Sequence, residues 1–148
     1  AFHIHPYGLE VTFNTPVPER HGFQWTVISG LPNLVTILIG YLLYTERRNL
    51  AGLSSTFLRS LAFFGTLIFM LFDPLNLSII PFLFGGDVNG IAEGTGLPVL
   101  LIQAVGLVLL LINRELIAQR LLPAYDVTTR HPFFIPWLRL RHDNPASG

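Results

Sequence analysis

The sequence predicts an all-α integral membrane protein with three transmembrane helices, its N-terminus outside and its C-terminus cytoplasmic. Three observations carry this. Of 148 residues, 51% are hydrophobic and 12% charged, about half the roughly 25% charge of a soluble domain. Three long segments are almost free of charge, each near the about 20 apolar residues a helix needs to cross lipid. Arginines fall almost wholly on one side of those segments. The same composition excludes a free soluble enzyme and a disordered tail.

Residues 1–24 read as an extended segment outside the membrane. No basic stretch leads into an apolar one, so they do not resemble a signal peptide. If Ala1 is a free terminus, its amine, two backbone amides and His3 are donors suited to Cu(II) or Ni(II). In an extended chain His5 projects to the same side, making His3 and His5 the candidate metal ligands. Leu9, Val11 and Phe13 alternate with Glu10, Thr12 and Asn14, which is strand spacing. So short a run must pair with another segment, such as one from a second subunit.

The membrane domain covers residues 25–122. Gly22 to Thr45 is a stretch of 24 residues without a charge, giving a first span over about 25–44. Trp25 and Tyr44 (with Tyr41) sit at its ends, where amphipathic rings favour the headgroup layer. Pro32 is tolerable if a neighbour or Ser29 satisfies the freed backbone. The second span starts near Ser55 and contains LAFFGTLIFMLF. The residue before a proline is pushed out of helical geometry, so this helix is expected to break or end at Asp73-Pro74. PLNLSIIPFLFGG then reads as a membrane-surface or re-entrant piece, or as the rest of one long kinked span. GGDVNGIAEGTG, with five glycines, reads as an exposed flexible outer loop over 85–96. The third span covers Gly94 to Asn113, 20 residues without a charge. It continues as NRELIAQRLL toward Pro123 and into the interface.

Residues 123–148 form a tail rich in Pro, aromatics and Arg. Phe133, Trp137 and Arg139 suit the headgroup layer, as a surface tether or as an arm docked on a partner. Arg47, Arg48, Arg59, Arg114, Arg120, Arg130, Arg139 and Arg141 lie on one side of three spans, and Arg20 alone on the other. That asymmetry places the arginine side in the cytoplasm, most simply of a bacterial inner membrane.

Each span carries a stripe of small or polar residues at helical spacing, the kind that holds helices together in lipid. These are Ser29, Asn33, Thr36 and Gly40; Arg59, Ala62, Thr66, Phe69 and Asp73; and Gly96, Gln103, Gly106 and Asn113. The stripes suit packing within the chain or against other membrane subunits. Alternatively, Asn33, Asp73 and Gln103 line a polar path for an ion or proton.

The chain has nine arginines and no lysine, which removes a Schiff-base lysine. It has no cysteine, which removes disulfides, thiolate metal sites and cysteine nucleophiles. Equal basic and acidic counts give no case for nucleic acid. No histidine lies in a span, so no protein ligand for an intramembrane haem or chlorophyll is offered. Pigment or lipid held by apolar packing stays open. No catalytic constellation is present. The expected function is therefore a non-catalytic accessory subunit of a multi-subunit membrane complex, bioenergetic (photosynthetic or respiratory) in kind. The alternative is a small oligomeric channel, holin-like pore or transporter.

Overall fold

A computed structural model describes residues 2–5, 8–11, 19, 22–84 and 86–138. Two short strands, β1 (Phe2–His5) and β2 (Gly8–Val11), pair antiparallel, with His3 opposite Glu10 and His5 opposite Gly8. The alternating run at Leu9 and Val11 thus pairs with the segment just before it.

Helices follow: α1 (Phe23–Thr45), α2 (Arg47–Ala51), α3 (Thr56–Ser78), α4 (Pro81–Phe84), α5 (Asp87–Thr95) and α6 (Val99–Leu116). A π-helical turn at Ile117–Leu121 leads into α7 (Leu122–Ala124), and a 3-10 turn forms at Pro132–Phe134. Three helical stretches are long and apolar enough to cross a membrane: Phe23–Thr45, Thr56–Leu83 and Val99–Ala124. With 23 residues, α1 is about 34 Å long, against a hydrocarbon core of about 30 Å. Its outward side chains, Leu31, Leu34, Leu38 and Leu42, are exposed, as are Phe57, Phe64, Phe72, Leu100, Val105 and Val108 on α3 and α6.

The second span does not end at Asp73-Pro74. Ser55 caps its start by accepting from the Leu58 amide, and the helix runs through Pro74 to Ser78. Pro74 has no N–H for the carbonyl four residues back, and its ring crowds that carbonyl. The carbonyl belongs to Met70, and it accepts instead from Asn113 Nδ2 of α6 at 2.6 Å. With the freed acceptor satisfied across the interface, the helix continues. It gives way one turn later. Ile80 N reaches back to Leu75 O at 3.2 Å, a widened turn, and Pro81 opens α4.

The glycine-rich stretch is not a flexible loop: Asp87–Thr95 is helical and runs antiparallel along the first half of α1. Gly90 and Gly94, four residues apart, make this approach possible. A Cβ on Gly90 would lie 2.0 Å from Ser29 Oγ, and one on Gly94 would lie 2.1 Å from Thr26 Oγ1 and 2.5 Å from its amide nitrogen. This is close backbone packing through small residues at a helix–helix crossing. Gly96, at φ 72°, ends α5 in the left-handed conformation, and α6 begins after Pro98. Gly94 therefore belongs to α5 rather than to the third span.

Gly40 and Gly106 let the long helices meet. A Cβ on Gly40 would lie 3.0 Å from the Phe69 carbonyl carbon, and one on Gly106 would lie 3.1 Å from Leu77 Cβ. The ends of the bundle differ. The end holding Gly22, Gly90 and Gly94 is called the glycine end below, and the one holding Arg47 and Arg114 the arginine end. The main apolar core lies at the arginine end: Tyr44, Met70, Ile117, Leu121 and Leu122, flanked by Tyr41, Phe63, Leu67 and Tyr125. Here the π turn answers to Pro123, which has no N–H for the Gln119 carbonyl and crowds it.

Candidate functional site

Polar side chains between the helices form three groups. At the glycine end, α1 presents Asn33 and Thr36, one turn apart. Asn33 Nδ2 donates to Asp87 Oδ2 at 2.9 Å and to its own helix's Ser29 carbonyl at 2.7 Å. Thr36 Oγ1 donates to Asp73 Oδ2 of α3. Asn76 Nδ2 lies 3.5 Å from the same Asp87 oxygen. One α1 face thus holds acids from both α3 and α5. Asn33 is only 3% exposed and its Oδ1 has no hydrogen-bond partner among the described residues.

Mid-bundle, Tyr41 OH donates to Asn113 Oδ1 at 2.5 Å while Asn113 Nδ2 serves the Met70 carbonyl. One fully buried amide therefore joins all three spans. Thr66, also fully buried, returns its hydroxyl to the Ala62 carbonyl of its own helix.

At the arginine end, Arg114 is wholly buried and pairs with Glu115. Its guanidinium donates to the carbonyls of Phe133 and Ile135 and lies 4.0 Å from the Trp137 ring centre. Glu115 accepts from the Trp137 amide at 3.1 Å and the Leu138 amide at 3.0 Å. Gln119 donates to Glu115 and to the Leu138 carbonyl. Residues 133–138 are thus strapped to the third helix by their main chain. Glu115 gives the strap's N–H groups an anion and Arg114 gives its carbonyls a cation, the charge-assisted bonds that hold most firmly.

Of the stripe residues, Asn33, Gly40, Thr66, Asp73, Gln103, Gly106 and Asn113 are buried, and Ser29 and Thr36 partly so. Arg59 is exposed. Asn33 and Asp73 come to one cluster, whereas Gln103 bonds to neither. The interfacial aromatics divide. Trp25 and Tyr44 turn inward, at 6% and 8% exposure, while Phe133 and Trp137 are exposed. Arg139 and the side chains of His3 and His5 lie outside the described residues. Among the described residues, no group of three or more His, Cys, Asp or Glu is placed to hold a metal ion.

Sequence reasoning passed over Asp87, Asn76, Arg114, Glu115 and Gln119 as site residues. The signals were present. Gly90 and Gly94 have helix-crossing spacing, Asp87 opens that helix, and Glu115 and Gln119 stand four apart beside a charge at the end of an apolar run.

No protein-family model, no curated protein and no solved structure matches this chain.

Proposed function

We propose that the chain is a non-catalytic accessory subunit of a multi-subunit membrane complex, stabilising its neighbours through its apolar outer faces and its ends. The observation that supports this most is where the polar groups go. The stripe hydroxyls, amides and carboxylate of the three spans bond mainly within the chain. The outer faces are left to Leu, Ile, Val and Phe. Association in lipid would then rest on shape and dispersion against neighbouring apolar helices. The eight arginines against one support a cytoplasmic arginine end in a bacterial inner membrane. With no catalytic set in the sequence, a bioenergetic parent complex, photosynthetic or respiratory, is proposed. Native gels of membranes solubilised in mild detergent test this. The chain should migrate with larger proteins; migration alone as a small monomer would overturn the reading.

A second reading, a small oligomeric channel or transporter, draws on Asp73 and Asp87, two acids without an ion pair among the described residues. Ion flux into liposomes holding only the purified chain, abolished in Asp73→Asn, would favour it over the first.

A further inference from the structure

We propose that Asp73, Asp87 and the Asn33 amide oxygen form a binding site for a hard divalent cation of the calcium class, between α1, α3 and α5. This stands apart from the accessory-subunit reading, since it concerns the isolated chain.

Geometry brings the acids together. Asn33 and Thr36 are three residues apart on one helix, about 4.5 Å along the axis. The first holds Asp87 and the second Asp73. The two carboxylates therefore hang from neighbouring turns of one face of α1. Their hydrogen-bond partners are neutral amides and a hydroxyl. The ion pair found among the described residues, Arg114–Glu115, lies at the opposite end of the bundle.

The third ligand is an acceptor with nothing to accept. Both hydrogens of the Asn33 amide are used, one by the Ser29 carbonyl and one by Asp87. Exchanging its O and N would set an oxygen against a carboxylate and a carbonyl, so the orientation is fixed by its neighbours. The oxygen of the same planar group is left over, on the amide that holds Asp87. It is buried and has no donor among the described residues.

Chemistry selects the ligand. The donors are all oxygen, with no imidazole or sulfur, which suits hard cations and not zinc or copper. Two carboxylates carry two negative charges, which one divalent ion cancels. A shared proton would cancel one and leave the other in a membrane setting that disfavours it. The adaptable coordination of calcium tolerates a site completed by water, whereas magnesium demands near-octahedral order.

The test uses the full chain in detergent, stripped with chelator and titrated with calcium chloride. Magnesium, sodium and choline chlorides at matched ionic strength are controls. Thermal unfolding followed by tryptophan fluorescence and retention of radioactive calcium are the readouts. Calcium should bind at one equivalent and raise the melting temperature, and Asp87→Asn and Asp73→Asn should each weaken binding at least about tenfold. Circular dichroism checks that each variant folds. If Asp73→Asn does not, the partly exposed Asp87→Asn carries the test. Three outcomes overturn the proposal. One is no saturable calcium binding. Another is binding unchanged in the folded variants. The third is an Asp73→Asn/Asp87→Asn double variant as stable as acidified wild type while calcium has no effect, which would identify a shared proton.

Discussion

The two ends of the bundle are built on opposite principles. At the glycine end, α5 meets α1 through the missing side chains of Gly90 and Gly94, with neutral amides and a hydroxyl holding two acids. At the arginine end Tyr44, Met70, Ile117 and Leu121 fill an apolar core, and a buried charge pair is finished by a strap of main chain. Close backbone approach tolerates no added atom. A bulky core tolerates change of shape better, but its enclosed charges tolerate no lost partner. The bundle should therefore fail differently at each end.

The largest effect is expected at the strap. Arg114→Leu leaves the Glu115 carboxylate enclosed without its cation and removes the donor from the Phe133 and Ile135 carbonyls. Breaking one side of a buried pair costs about 3–5 kcal/mol. Hydrogen exchange should show the Trp137 and Leu138 amides losing protection, with Asp87 and its helix unaffected; equal loss at both ends would break the comparison.

Next comes the α1–α5 contact. Gly94→Ala sets a Cβ 2.5 Å from the Thr26 backbone nitrogen, which no rotamer change relieves. It should cost toward the upper end of the about 1–3 kcal/mol range for overpacking. In Gly65→Ala the new Cβ meets only Leu43 Cδ1 at 3.9 Å, so better helix propensity should make it neutral or stabilising by under about 1 kcal/mol. Thermal unfolding of the two variants in detergent compares them directly.

The smallest effect of the three, and the most diagnostic, sits between the ends. Asn113→Leu leaves the Met70 carbonyl without a donor and the Tyr41 hydroxyl without its acceptor, at about 1–3 kcal/mol. Pro74→Ala restores an N–H to that carbonyl, so it should recover part of the loss in the Asn113→Leu background. A double-mutant cycle measures this, and strict additivity would show that Asn113 does not answer to Pro74.

The positions of the three spans were legible because lipid imposes a simple rule: a charge-free stretch long enough to cross must be helical. The inward residues were legible for a related reason, since Asn33, Thr66, Gln103 and Asn113 had only the interior to turn to. What sequence reasoning missed depended on contacts between segments. Pro74 reads as a helix end in isolation and is rescued by an amide 39 residues further on. Glycines read as a loop when no partner is in view, yet Gly90 and Gly94 are helical because Ser29 and Thr26 lie against them. Trp25 and Tyr44 were placed by the rule for lone helices, but the neighbours bury them.

The strap also sets an order of events during biosynthesis. Arg114 receives its carbonyl partners from Phe133, 19 residues later, and Ile135, 21 residues later, while Glu115 waits 23 residues for Leu138. At ribosomal speeds of about 5–20 residues per second, the third helix exists for roughly one to five seconds before its charges are enclosed. Through that interval the adjacent cation and anion have each other, the Gln119 amide on the next turn, and whatever water or headgroups surround them. The cover for those charges is thus the last part of the third helix's surroundings to be made.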